Sequence, residues 1–184
     1  AAHDDALVKA FQDELFNDGV SWVGGEPAGD ITLVEFMDYR CGYCRKAYDE
    51  VEQLIALDGN IRFVVKEFPI LGEASVLSSR FAIAAKLVGG ADAYKAAHDA
   101  MIAFKGDLTP PALVRLADTL GLNGEAILDK MNSEDVSNEI LANRQLAQKM
   151  QISGTPTFVM QDQMLRGYLP LDNMVALINE KRSN

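Results

Sequence analysis

The chain of 184 residues is poor in cysteine, histidine and tryptophan. It contains two cysteines, two histidines and one tryptophan. Only His3 and His98 are available to join the two thiols around a zinc ion, and they have no recognisable ligand spacing. A zinc site is therefore disfavoured, and His98 is expected to be an ordinary helix residue.

Basic charge and long apolar runs are also scarce. The 17 basic residues against 27 acidic ones give a net charge of −10, which argues against nucleic-acid binding through a basic surface. No apolar run approaches the ~20 residues of a membrane span. A hydrophobic content of 48% with 24% charged residues instead predicts one folded domain, or one domain carrying an insertion.

The first residues of the chain do not establish whether the protein is exported. No signal peptide is visible, and Ala1 to Asp4 fit a mature start after cleavage as well as an arbitrary start. Two cysteines in one motif are typical of an exported redox protein and equally compatible with a cytosolic one.

The most informative stretch runs from Ile31 to Leu57. Residues 31–37 are apolar and β-branched around one acid, Glu35, which predicts a buried strand. From Cys44 onward, apolar residues recur at helical spacing with charged residues between them, which predicts an amphipathic helix. The motif Cys41-Gly42-Tyr43-Cys44 therefore lies where a strand passes into a helix.

This position predicts redox chemistry. A helix N-terminus carries unpaired N–H groups and partial positive charge, so it should stabilise a Cys41 thiolate, with the flanking Arg40, Arg45 and Lys46 as further candidates for doing so. Cysteines three residues apart share one helix face and can form a disulfide. That small loop would stabilise the fold by only about 2 kcal/mol. A reversible redox pair is therefore favoured over a structural disulfide or two inert thiols.

The rest of the chain predicts the order βαβ, a helical block, then ββα. A short N-terminal helix covers 4–17, more plausibly docked on its own domain than on another subunit, and a brief edge strand covers 20–23. The remaining predicted elements are strand 31–37, helix 42–57, strand 61–67, helices 73–88, 91–104, 110–120, 123–131 and 134–150, hairpin strands 157–160 and 164–168, and helix 171–181.

Three segments carry a family resemblance: FMDYRCGYC, KEFPILG, and Gly154-Thr155-Pro156-Thr157-Phe158. They resemble the DsbA-like thiol–disulfide oxidoreductases of bacterial cell envelopes, within the thioredoxin superfamily. The resemblance implies an α/β thioredoxin fold with an inserted helical subdomain. The corresponding ranges are 1–30 for the N-terminal helix and connector, 31–72 and 151–184 for the thioredoxin-fold domain, and 73–150 for the insertion.

The resemblance also implies roles for single residues. Cys41 would be the nucleophile and Cys44 the resolving thiol, with Glu35 as the buried acid beneath them and Lys66 as its partner on the adjacent strand. The substrate-binding residues would be Gly42, Tyr43, Thr155 through its backbone, and Pro156 as a cis-proline.

The function implied is disulfide exchange with exported, cysteine-containing proteins, in the oxidase direction first. Gly42-Tyr43 replaces the Pro-His of the best-known members, and Thr155 also suits the isomerase and reductase branches, so those directions stay open. A membrane or soluble redox partner would recycle the Cys41–Cys44 disulfide, with no other cofactor and no metal. The expected location is the bacterial periplasm or cell envelope, with the signal peptide removed.

Other classes remain open at this stage. They are a glutathione-conjugating enzyme of the same fold, a Cu(I)-binding metal-tolerance protein using the two thiolates, and a chaperone without thiol chemistry. Oligomer formation through the N-terminal segment is also undecided.

Overall fold

The computed structural model describes residues 2–184, so Ala1, which begins the predicted segment 1–30, lies outside it. The strands are β1 (Trp22–Gly25), β2 (Ile31–Met37), β3 (Ile61–Glu67), β4 (Thr157–Met160) and β5 (Gln163–Arg166). The helices are α1 (Ala2–Ala10), α2 (Gln12–Phe16), α3 (Gly42–Asp58), α4 (Glu73–Ala103), α5 (Pro110–Thr119), α6 (Gly124–Lys130), α7 (Glu134–Lys149) and α8 (Leu171–Ser183).

The five strands form one sheet in the order β1-β3-β2-β4-β5. β2 and β3 are parallel, as expected for strands joined through a crossover helix, and the other neighbours are antiparallel. This arrangement, with α4–α7 placed between β3 and β4 in the chain, confirms the predicted thioredoxin fold with inserted helices.

The central strand β2 is buried along its whole length and divides the core into two layers. Alternate side chains of a strand point to opposite faces. Leu33 and Met37 therefore pack with the apolar residues of α3, whereas Val34 and Phe36 pack with those of α1 and α2. Glu35 alternates with Val34 and Phe36, so its carboxyl group lies in the α3 layer.

Helix α3 packs on the sheet through Ala47, Val51 and Leu54, which are spaced for one buried face. It begins at its N-cap residue Cys41 and ends at Gly59, whose φ of 75° is the left-handed conformation typical of a helix C-cap. The first turn of α3 thus follows directly after the carboxyl end of β2.

Helix α4 consists of two helical halves that meet at Gly90, in agreement with the two helices predicted at 73–88 and 91–104. It continues from Glu73 to Ala103, with Gly90 alone in a non-helical conformation (φ 86°, ψ −168°) that glycine tolerates best. The kink directs the second half toward β1, where the Trp22 indole nitrogen donates to the Ala91 carbonyl at 3.1 Å and its ring stacks on Tyr94 at 5.4 Å.

The N-terminal segment forms two short helices instead of one helix over 4–17. It docks on its own chain, as favoured from the sequence: Val8 is buried, and Asp4 pairs with Arg166 of β5 at 3.0 Å. Smaller shifts occur at β1, which is Trp22–Gly25 instead of 20–23, and at β5, which begins at Gln163. Across residues 2–184, none of the helices combines the length and apolarity needed to cross a membrane.

Candidate active site

The two cysteines lie at the start of α3 in the thiol form. Cys41 is the N-cap residue, and its sulfur accepts a hydrogen bond from the Cys44 backbone N–H at 3.2 Å. The Cys41 thiol also donates to the Thr155 carbonyl at 3.3 Å, across 114 residues of chain. Capping by sulfur places the thiol where unpaired N–H groups of the first helical turn converge.

These contacts favour the thiolate of Cys41. A hydrogen bond from the Cys44 thiol, reinforced by the backbone N–H groups of Cys44 and Tyr43, lowers the pKa of Cys41 to about 6 even though partial burial acts in the opposite direction. The predicted depression of the Cys41 pKa is therefore present, and hydrogen bonds at the helix N-terminus cause it.

The flanking basic residues make other contacts. The Arg45 guanidinium donates to the Phe104 carbonyl at 2.7 Å and to the Tyr39 carbonyl at 3.0 Å, and Arg40 donates to the Gly106 carbonyl at 3.1 Å. These two arginines therefore hold the loop after α4 against the turn that precedes Cys41.

Cys44 and Glu35 form the buried side of the site. Burial, the hydrogen bond to Cys41 and the nearby Glu35 charge raise the pKa of the Cys44 thiol far above its usual range. Burial, with the charges of Cys41 and Glu67, raises the pKa of Glu35 to about 8. Glu35 is thus a neutral acid at pH 7, in the layer that carries the thiols.

The prediction that Lys66 is the partner of Glu35 is wrong. Lys66 lies on the other face of the sheet, because it alternates with Val65, the residue paired in register with Glu35. Its ammonium group donates to Asp18 at 2.5 Å and to the Glu14 carbonyl at 2.8 Å. Lys66 therefore anchors the segment after α2, and no Lys66 contact reaches the thiol layer.

An open cleft of about 590 Å³ lies in front of Cys41. Gly42, Tyr43 and Thr155, all predicted to bind substrate, line it, together with residues for which no substrate-binding role was predicted: Lys46, Ile70, Leu71, Ser153 and Gly154. The Thr155–Pro156 peptide bond is cis, as the resemblance implied, and Pro156 itself is buried.

One rim of the cleft is aromatic. Tyr43 is 62% exposed and stacks on Tyr168 with ring centroids 6.0 Å apart. The Tyr168 hydroxyl donates to Glu50 of α3, and the Lys46 ammonium lies 4.7 Å from the Tyr168 ring centroid. Tyr168 lies in the loop before α8, so nothing in the local sequence around the cysteines indicated it.

A second buried acid lies in the same layer as Glu35. Glu67, at the end of β3, accepts hydrogen bonds from Ser79 at 2.7 Å, from Tyr39 at 2.8 Å and from Tyr94. Burial raises the pKa of Glu67 to about 7, and these hydrogen bonds oppose the shift. His98 shares a 2.8 Å hydrogen bond with the Tyr39 hydroxyl, so it is a satisfied core residue, as expected.

The fold and this site define a class of protein: a thioredoxin-fold protein with a dithiol at a helix N-terminus, facing a cis-proline across an open cleft. Within residues 2–184, no group of three or more His, Cys, Asp or Glu side chains is placed to hold a metal ion.

Comparison with known proteins assigns the family. The DSBA-like thioredoxin domain matches residues 32–179, and the chain belongs to that family. A thioredoxin-like oxidoreductase from Silicibacter pomeroyi superposes with a TM-score of 0.86 at 37% identity, over 94% of this chain and 98% of that one.

Curated relatives show the domain in different settings. A Na(+)/H(+) antiporter of Salinispora arenicola is 28% identical over 85% of this chain, and the chain spans only 24% of that protein's length. Disulfide bond formation protein D of Bacillus subtilis is 25% identical over 91% of this chain and 83% of the relative. The chain therefore corresponds to about a quarter of the antiporter and to most of the Bacillus protein.

Proposed function

We propose that this chain is a thiol–disulfide oxidoreductase that exchanges disulfides with exported proteins through Cys41 and Cys44. The observation that carries the proposal is the Cys41 sulfur, which caps α3, accepts the Cys44 N–H at 3.2 Å and opens onto the cleft beside Thr155. Cys41 is only 6% exposed, but it lines the open cleft, and a thiol of lowered pKa at such a cleft is the reactive partner that disulfide exchange requires.

In the oxidase direction, a substrate thiolate attacks the Cys41 sulfur of the Cys41–Cys44 disulfide. The S–S bond breaks, and Cys44 leaves with the electron pair as a mixed disulfide forms at Cys41. A second substrate thiolate then attacks the substrate sulfur and releases Cys41 as a thiolate. The substrate dithiol loses two electrons to the Cys41–Cys44 disulfide, which becomes the dithiol, and no other group carries these electrons.

Glu35 has a pKa suited to donating a proton to Cys44 and to accepting it back. A carboxyl group with a pKa of about 8 holds its proton at neutral pH and can release it within the working range. In the proposal it protonates the departing Cys44 thiolate and removes that proton in the reverse direction. Lys66 has no part in this step, because it lies on the opposite face of the sheet.

The cleft residues bind the substrate segment in the same proposal. Thr155 presents its backbone beside Cys41, and Pro156 fixes that backbone in place. Gly42 adds no side chain in front of the sulfur, and Tyr43 provides an apolar surface at the rim.

The pKa of Cys41 supports an oxidant of intermediate strength. Stabilising the thiolate stabilises the reduced protein, which makes the disulfide a better oxidant. The value of about 6 lies between the ~3.5 of a strongly oxidising dithiol and the ~7 of thioredoxin. We therefore expect a potential between about −270 mV and about −120 mV, compatible with oxidase or isomerase work.

The substrates in the proposal are cysteine-containing proteins of the bacterial periplasm or cell envelope, with a membrane or soluble redox partner that recycles the disulfide. Membership of the DSBA-like family and the relative named disulfide bond formation protein D support this assignment.

The decisive test is the equilibrium of the Cys41–Cys44 couple with a glutathione redox series, followed by thiol trapping. A reversible two-electron couple in the expected range, lost in Cys41→Ser and Cys44→Ser, supports the proposal. A potential below about −270 mV would overturn the oxidase direction. The absence of a reversible couple, with stoichiometric Cu(I) uptake that both cysteine variants lose, would replace it with the copper-binding alternative.

A further inference from the structure

Asp38 is a buried carboxylate that follows β2 and lies three residues before Cys41. Its side chain is fully buried. One carboxylate oxygen accepts the Arg40 backbone N–H at 2.7 Å and the Ser75 hydroxyl at 2.8 Å. The other accepts the backbone N–H groups of Ile70 at 2.8 Å and Leu71 at 3.1 Å.

These contacts tie together three parts of the chain. Arg40 belongs to the turn that leads into Cys41, and Ser75 belongs to the first turn of α4. Ile70 and Leu71 belong to the loop between β3 and α4. The backbone N–H of Cys41 also donates to the Asp38 carbonyl at 3.2 Å. One residue therefore holds both the nucleophile's turn and the Ile70–Leu71 loop.

The bonding pattern requires a carboxylate. Each oxygen accepts two hydrogen bonds, and the four donors that bond Asp38 are all uncharged groups. An asparagine has one carbonyl oxygen and one NH₂ group, so in either orientation it would point donors at two of the four partners. Buried N–H groups that lose their acceptor are costly, so the loop is expected to move.

The loop held in this way forms one wall of the cleft. Ile70 and Leu71, which are 37% and 53% exposed, line the same 590 Å³ space as Cys41 and Thr155. Two neighbouring aliphatic side chains beside the nucleophile form a surface that an apolar side chain can cover. The fixed N–H groups hold this wall at a set distance from the Cys41 sulfur.

We propose that Asp38 is a positioning residue that sets the Ile70–Leu71 wall against Cys41, and that this wall selects substrate segments with an apolar residue next to the reacting cysteine. The inference rests on the proposed disulfide-exchange function and adds a substrate class to it. Asp38 acts through the loop and does not touch the reacting sulfurs.

The test compares Asp38→Asn with the wild type in single-turnover reactions of the reduced protein. The substrates are a Leu-Cys peptide and a Ser-Cys peptide, each carrying glutathione in a mixed disulfide, and glutathione disulfide as a small substrate without the apolar neighbour. The Cys41 thiolate attacks the peptide sulfur and glutathione leaves as a thiolate. Cys44 then attacks Cys41 and releases the peptide thiolate.

For Asp38→Asn we expect the half-saturating concentration of the Leu-Cys peptide to rise about tenfold, equivalent to about 1.4 kcal/mol of binding free energy. The limiting rate, the reaction of the Ser-Cys peptide and the reaction of glutathione disulfide should keep their wild-type values. Glu139→Gln is the matched control, because it also changes a buried acid to an amide but pairs with Lys86 at 2.6 Å and lies outside the cleft. It should leave all these rates unchanged.

Two further measurements keep the inference falsifiable if Asp38→Asn does not fold. Leu71→Ala changes an exposed side chain and should weaken binding of the Leu-Cys peptide alone. In the wild type, the amides of Ile70 and Leu71 should exchange with solvent slowly, because Asp38 accepts both.

Each result has a definite reading. Unchanged Leu-Cys binding in Leu71→Ala, fast exchange of either amide, or an equal loss with all three substrates in Asp38→Asn would overturn the inference. A wild-type protein that reacts with none of the disulfides would instead overturn the proposed function, which distinguishes the two failures.

Discussion

The buried acid Glu35 leads to a quantitative prediction about stability and pH. Burial first, and the nearby Cys41 and Glu67 charges second, raise its pKa from 4.5 to about 8. The folded protein therefore binds this proton more tightly than the unfolded chain does. The contribution to stability is complete below pH 4.5 and is lost as the pH rises through about 8.

The size of the effect follows from the shift. A change of about 3.5 pKa units, at 1.36 kcal/mol each, gives an upper limit of about 5 kcal/mol between pH 4.5 and pH 8 or above. In Glu35→Gln this titration is absent. The variant should therefore gain stability relative to the wild type as the pH rises, with a slope of up to about 1.4 kcal/mol per pH unit.

The assay is urea unfolding of both reduced proteins from pH 5 to pH 9, with the difference in unfolding free energy plotted against pH. Glu67 and Cys41 are present in both proteins, so only the part of their titration that depends on the Glu35 charge remains in the difference. Glu26→Gln removes a carboxylate from an exposed position and controls for net charge. A flat difference curve for Glu35→Gln would refute the reasoning, because it would mean that burial does not hold the Glu35 proton.

Three other predictions concern the thiols, the corrected ion pair and the kink. The alkylation rate of Cys41 in the reduced protein should rise with pH with a midpoint near pH 6. Cys44 should stay unreactive, because burial raises its pKa. A midpoint near ~8.5, the pKa of a free thiol, would contradict the helix-capping argument. Asp18→Asn should destabilise the protein by about 3 kcal/mol in urea unfolding, because it removes the carboxylate that pairs directly with the buried Lys66 ammonium. Asp18→Asn should leave the pH midpoint of Cys41 alkylation unchanged. A shifted midpoint would show that the Lys66–Asp18 pair is coupled to Cys41 through the sheet. Gly90→Ala should lower stability by about 1–3 kcal/mol through backbone strain at φ 86°, and an unchanged melting temperature would show that the kink relaxes.

Much of the active site was predictable from local patterns. A seven-residue segment that is apolar apart from Thr32 and Glu35 predicts a buried strand, and helical spacing after Cys44 predicts an amphipathic helix. Together they place Cys41 at a helix N-terminus, where the structure has it as the N-cap residue. The apolar neighbours of Glu35 in the same strand also indicated its burial. These features depend on residues within about one element of each other.

The cis-proline was predictable from the family resemblance and not from the spacing of residues. Pro156 lies more than 110 positions after Cys41, and no periodic pattern relates the two. The resemblance alone predicted the cis bond found there, and the sheet brings Thr155 to 3.3 Å from the Cys41 sulfur.

The tertiary structure alone decided the polar contacts of the core. Lys66 lies on the strand next to that of Glu35, but it is one residue out of register with Glu35, so its side chain lies on the opposite face of the sheet. There it pairs with Asp18, which comes from a distant loop. No role was predicted for Asp38 from the sequence, and only the fold brings the Ile70 and Leu71 amides to its carboxylate. Short-range periodicity determines whether a residue is buried, whereas the partner of a buried charge depends on which distant segments the sheet and helices bring together.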